Sequence, residues 1–349
     1  MKAAIRICIA GAGRAARVHA HSLTHRLPGV EVVAVVDPLE KPGLELVDEF
    51  GIPSHYLTLD EALEKESFQA VVITTPTPTH QPLAVQAAER GKHIFLEKPM
   101  ALTLAECEAI LSACRQNGVL LQLGFMRRFD PDFTAAAQRI EAGEIGLPMM
   151  VKSLTHGPGL PPPWARDLQT SNGMLAEVNS HDWDTLRWLM NDDYERVYAE
   201  VANFKGPTLQ VDTPNFYDNA LVNVRFSGGG LGMISGICPC GYGYDARVEI
   251  YGEKGLLTIG ELQGQAVVIC TDRDQGLVTP IFRTWPERFA WGYINEMEHF
   301  LQCIERGQAP KVGGQEGRWA VAGVLAATRS FLEGRPVTLA ETFAGLNPA

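Results

Sequence analysis

The chain has 349 residues, 46% apolar and 20% charged, ordinary globular proportions that exclude a disordered, collagen-like or coiled-coil protein and allow about two domains. A net charge of −11 and a pI near 5.3 exclude the basic surface that nucleic acid or an anionic membrane would require, so small molecules are the expected partners. The seven cysteines are scattered, and the close pair Cys238-Pro239-Cys240 lacks the spacing of a zinc site, which predicts a reducing compartment and no metal.

Met1 to Arg6 leads straight into a strand-like segment, and no apolar run approaches a membrane span, so a soluble, cytoplasmic protein is expected. Strands are predicted over 5–10, 31–36, 70–75, 93–97 and 120–124, with helices near 14–27, 41–50, 59–65, 79–90 and 103–116. This alternation predicts a parallel, doubly wound α/β sheet ending near residue 126. Thr103 and Glu106 have capping-box spacing, and Gly91 and Gly118 read as helix stops.

The first turn of that pattern carries chemistry. Strand 5–10 runs into Gly11-Ala12-Gly13-Arg14-Ala15-Ala16, a Gly-x-Gly-x-x-Ala loop opening a helix. Gly11 allows the tight turn, Gly13 admits a pyrophosphate to the backbone, and Ala16 lets helix and strand pack closely. A diphosphate would sit on the helix N-terminus. Asp37 ends the second strand, where its carboxylate can take the ribose hydroxyls and repel a 2′-phosphate, which favours NAD over NADP.

Beyond residue 130 a Pro-rich stretch (157–163) precedes a helix pattern over 173–190. Strand-like segments follow at 197–204, 220–226, 231–238, 246–251, 255–259 and 266–270, then helix patterns at 289–306 and 315–333. Successive strands with short turns predict an α+β second domain, 127–349, built on a mostly antiparallel sheet. On the 173–190 pattern Glu177, His181, Asp184 and Trp188 recur at intervals of four, three and four, opposite an apolar stripe of Leu175, Val178, Leu186 and Leu189. The unperturbed pKa of a histidine, about 6.5, suits His181 to proton transfer at neutral pH.

With the loop, three segments resemble the glucose-fructose oxidoreductase, inositol dehydrogenase and rhizopine-catabolism family (Gfo/Idh/MocA). They are Thr75-Pro76-Thr77-Pro78-Thr79-His80, Glu97-Lys98-Pro99, and Asn179-Ser180-His181-Asp182-Trp183-Asp184. Gly124 to Pro131 and Tyr242 to Glu249 are similar to inositol dehydrogenases within it. The resemblance implies a Rossmann domain, hydride transfer between a nicotinamide cofactor and a cyclic polyol or sugar, and an open second sheet used in a homo-oligomer, a dimer or tetramer. It implies that His181 accepts the hydroxyl proton and that Lys98 holds the hydroxyl and lowers its pKa. Relatives in the family also include NAD-using glycosidases, and a non-catalytic sensor is a third reading, made less attractive by the presence of both Lys98 and His181.

The remaining candidates are positional. Thr75, Pro76, Thr77 and His80 follow the fourth strand, beside the expected nicotinamide ribose, although His80 at a helix start also suits a structural role. Glu97 precedes Lys98 at the carboxyl edge of the fifth strand, where ligands bind in such sheets. Glu177 stands where many inositol dehydrogenases have aspartate, which places its contact with substrate or Lys98 in question. His156, Trp164, Tyr242 and Tyr244 are candidates to meet a polyol, and Arg127 either does so or pairs structurally with Asp130.

Overall fold

A computed structural model describes residues 3–264 and 280–344, so the strand expected at 266–270 lies outside the described residues. Among the described residues the chain forms two compact units. One reaches to Asp130 and takes in Trp291–Val321; the other runs from Pro131 to Ala290 and resumes at Ala322. The stretch 291–321, assigned by sequence to the second domain, therefore belongs to the first unit.

The first unit contains β1 (Ile5–Ala10), β2 (Val30–Val36), β3 (Ser54–Tyr56), β4 (Ala70–Ile73), β5 (His93–Glu97) and β6 (Leu121–Gly124). All pair in parallel in the order β3-β2-β1-β4-β5-β6, in which the direction of strand addition reverses beside β1. Buried β-branched runs such as Val32 to Val36 and Ala70 to Ile73 suit strands covered on both faces. Ile7, Ile9, Val35 and Phe95 share a core with Met297, Phe300 and Leu301 of the helix Ala290–Arg306. The capping box at Thr103 forms as expected, and that helix ends on Gly118 at φ 63°.

The second unit is built on seven strands. These are β7 (Pro148–His156), β8 (Tyr194–Ala202), β9 (Asn219–Phe226), β10 (Leu231–Ile237), β11 (Asp245–Gly252), β12 (Leu256–Ile259) and β13 (Val337–Thr338), in the order β12-β11-β7-β10-β9-β8-β13. The pairing is antiparallel as predicted except between β7 and β10, which run parallel. Strand β9 alternates buried and exposed residues, so one sheet face is core and the other open. Leu221, Leu231 and Leu256 are about half exposed on these strands.

Candidate active site

In the first unit the glycine loop explains its own composition. Gly11 takes φ +98°, and a Cβ there would lie 2.9 Å from the carbonyl carbon of Thr74, so the turn out of β1 requires glycine. Gly13 has an ordinary φ of −79°, and a Cβ on it would meet nothing within 4 Å. Neither strain nor packing demands a glycine at 13, and the space beside it is open. Gly13 is the N-cap of the helix Arg14–His21, which has no side-chain cap. Its first-turn N–H groups and dipole therefore suit a phosphate.

Asp37 closes the loop from the end of β2. Its Oδ2 accepts the Ala12 N–H at 2.8 Å and its Oδ1 the Leu39 N–H at 2.9 Å. A carboxylate has about four lone-pair positions, so two remain for ribose hydroxyls. Gly13 and Arg14 are exposed and Ala15 half-buried, whereas Ala12 is buried.

After β4, Pro76 is exposed, Thr75 half-buried and Thr77 only 3% exposed. The Thr79 hydroxyl reaches the Thr75 hydroxyl at 2.7 Å. His80 is buried, its Nε2 2.9 Å from the Thr75 carbonyl and its Nδ1 2.8 Å from the Pro99 carbonyl. Burial pushes its pKa down against those two bonds. The ring is thus committed to backbone and ties the Thr75 turn to the segment carrying Lys98, whose peptide to Pro99 is cis.

Lys98 is half-buried at the end of β5. The buried Glu97 accepts from His19 Nε2 at 2.6 Å and from the Lys98 backbone N–H at 3.1 Å. Burial, the largest influence, raises the Glu97 pKa, but the His19 bond and the charges of His19 and Lys98 together carry it below the usual range. Arg127 and Asp130 are both buried in the turn after β6, where the Asp130 N–H donates to the Arg127 carbonyl at 3.2 Å.

In the second unit the helix expected over 173–190 is two helices, Met174–Glu177 and Ser180–Met190. Asn179 breaks it with φ −94° and ψ 7°; its side chain caps no backbone N–H of the next helix, and its amide donates instead to Asp182 Oδ2 at 2.7 Å. Glu177 and His181 therefore do not share one continuous helical face: Glu177 is half-buried on the short helix, and His181, 6% exposed, lies in the first turn of the next. Residues 180–186, Asp184 among them, are all buried.

Asp182 fixes the histidine's helix. Fully buried, it accepts from Ser153 at 2.5 Å and Thr155 at 2.7 Å, both on β7, as well as from Asn179. Sequence reasoning passed over it, although a carboxylate four residues before Leu186 and seven before Leu189 lies on the apolar stripe and marks a buried, bonded group.

Around β7 and β11 a second network forms. Tyr242 is 41% exposed, and its hydroxyl bonds His156 Nδ1 and, at 3.2 Å, Asp245. His156 Nε2 lies 3.1 Å from the Ser235 hydroxyl, and Asp245 holds Arg247 through two bonds of 2.7 and 2.9 Å. Burial, followed by the Asp245 carboxylate, raises the Tyr242 pKa, and burial lowers that of His156. Tyr244 is instead buried, its ring edge-on to Phe289 at 6.2 Å. Trp164 is half-buried in the turn Pro163–Ala165, its carbonyl accepting from the Thr170 hydroxyl at 2.6 Å.

Residues 5–125 match the family model described as an oxidoreductase family, NAD-binding Rossmann fold, and residues 137–339 match its C-terminal alpha/beta domain. The chain is 35% identical to the scyllo-inositol 2-dehydrogenase (NAD(+)) of Bacillus subtilis over 97% of both chains. It is 30% identical to the myo-inositol 2-dehydrogenase of Thermotoga maritima over 97% of this chain and 99% of the relative. The crystal structure of a myo-inositol dehydrogenase from Corynebacterium glutamicum superposes with a TM-score of 0.86 at 30% identity, covering 99% of this chain and 100% of the other. The parallel sheet with its glycine loop, the mixed second sheet and these full-length matches together place the chain in the Gfo/Idh/MocA oxidoreductase family.

Proposed function

We propose that the protein is an NAD-dependent dehydrogenase that oxidises a secondary hydroxyl of a cyclic polyol, an inositol in the first instance. The carrying observation is Gly13, a glycine that no protein contact requires, on a loop closed by Asp37. The similarity to inositol dehydrogenases supplies the substrate class.

Gly11, Ala12, Gly13, Arg14 and Ala15 hold the diphosphate, Asp37 the ribose, and Thr75, Pro76 and Thr77 the nicotinamide side. His80 and Glu97 brace that floor. Bound NAD supplies a hydride acceptor at nicotinamide C4. Lys98 donates to the substrate hydroxyl and favours its ionised form, and His181 takes the proton. Glu177 adds a carboxylate near the substrate. Among the other candidates the half-exposed Tyr242, backed by His156, and Trp164 border the polyol; the burial of Tyr244 and Arg127 gives both a supporting role.

The open face of the second sheet, with Leu221, Leu231 and Leu256 exposed, suits a homo-oligomeric contact. No described helix is long and apolar enough to cross a membrane, and we read the protein as cytoplasmic.

Absorbance of NADH should grow steadily when the enzyme meets NAD and myo- or scyllo-inositol within a panel of inositols and aldoses. No growth with any member overturns the reading. In fluorescence titration NADH should bind about tenfold or more tightly than NADPH, since Asp37 repels a 2′-phosphate and the following Pro38 and Leu39 offer no cation. Tighter NADPH binding contradicts the role given to Asp37.

A further inference from the structure

The first unit contains a buried polar cluster in which Glu97 meets two residues, His19 and Glu296, that the reaction above leaves unused. His19 on the helix Arg14–His21, Glu97 at the end of β5 and Glu296 on the helix Ala290–Arg306 bring one imidazole nitrogen and two carboxyl oxygens within 4.8 Å of one another. His19 and Glu296 are 0% exposed and Glu97 8%. The rings of Phe95 and Tyr293 stand edge-on to His19 at 5.0 and 5.6 Å, so the surroundings are apolar. Gln122, also buried, donates its amide N–H to the Glu296 backbone carbonyl at 2.7 Å rather than to its carboxyl.

Two carboxylates this close in so dry a place do not both ionise. The partners decide which keeps its charge. Glu97 accepts the His19 bond on one oxygen and the Lys98 backbone N–H on the other. Neither carboxyl oxygen of Glu296 has a hydrogen-bond partner. Burial, then the charge of Glu97, pushes the Glu296 pKa well above the usual range. The other charged or titratable groups facing Glu97 are Lys98 and His80, and Tyr293 comes from the helix of Glu296. Three such donors are also a metal-ligand set, so the metal content of the purified protein belongs to the test.

We propose that Glu296 is a neutral, proton-holding residue which, with His19, confines a single negative charge to Glu97 and so positions Lys98. The inference rests on the reading of Lys98 as the residue that holds the substrate hydroxyl. The Glu97 carboxylate accepts the Lys98 N–H and so fixes the backbone from which that side chain extends. All three members are positioning residues.

The test has two readouts. Infrared spectra of the cofactor-free protein at neutral pH should contain a protonated-carboxyl band that Glu296→Gln removes. In pH profiles of kcat with NAD and myo- or scyllo-inositol, Glu97→Gln should lower kcat about 10- to 100-fold and move the alkaline limb to lower pH, because the site loses a buried negative charge. Glu296→Gln, a neutral isostere of the acid, should leave that limb where the wild type has it. The proposal is overturned if the band survives in Glu296→Gln, if that variant moves the limb, if Glu97→Gln leaves it in place, or if the purified protein carries a stoichiometric divalent metal. Should the wild type oxidise no inositol, the reading of Lys98 fails by itself, and the infrared band, which needs neither cofactor nor substrate, still decides the state of Glu296. The same band decides it if Glu97→Gln does not fold.

Discussion

Replacing His181 with alanine should lower kcat by about 10²- to 10⁴-fold and leave NADH affinity nearly unchanged. The magnitude is that of losing a positioned proton acceptor. The selectivity follows from placement: His181 lies in the first turn of Ser180–Met190, a helix of the second unit, whereas the glycine loop and Asp37 belong to the first. The helix is held to β7 by Asp182 through Ser153 and Thr155, contacts the substitution leaves in place, so a global collapse is not expected. Initial rates of NADH formation and a fluorescence titration with NADH separate the two effects. Near-normal turnover would remove His181 from the mechanism, and a parallel loss of NADH affinity would assign it to the cofactor.

The two loop glycines should respond to alanine in opposite ways. At Gly13 the backbone is ordinary and the added Cβ meets no protein atom within 4 Å, so thermal stability should hold while the dissociation constant for NAD rises about tenfold or more. At Gly11 the φ of +98° and the 2.9 Å approach to Thr74 should cost about 1–3 kcal/mol of unfolding free energy. Denaturant unfolding of the cofactor-free variants, followed by titration with NAD, distinguishes them. A Gly13→Ala protein that loses stability but binds NAD normally would make that glycine structural and remove the observation on which the cofactor loop rests.

Local signals made most of the first unit legible. The glycine loop, the apolar runs of β1, β2, β4 and β5 and the capping box at Thr103 each act within a few residues, and each appears where the sequence puts it. Strand β3 was missed because Ser54–Tyr56 is three half-buried residues with no apolar alternation. The break at Asn179 was missed because apolar periodicity continues through it, and the backbone turn at that residue leaves no mark in the pattern. The parallel pairing of β7 with β10, and the packing of Met297, Phe300 and Leu301 in the first core, depend on long-range contacts that strand succession does not encode.

Buried polar groups were the other blind spot. His19 lies between the buried Ala16 and Ala20 on one helix face, and Glu296 between Tyr293, Met297 and Phe300 on another. A titratable residue inside an apolar stripe was a readable signal, but its partner across the fold was not. Glu177 illustrates the same limit, since a spacing of four before His181 predicts a shared face only if one helix carries both.

Deuterium transfer tests the central claim most directly. Inositol deuterated at the carbon that bears the oxidised hydroxyl, incubated with enzyme and NAD, should yield NADH carrying that deuterium at nicotinamide C4, accumulating in step with the ketone product. NADH without the label, or turnover of the labelled inositol with no accumulation of NADH, would contradict a dehydrogenase that moves hydride from polyol to NAD.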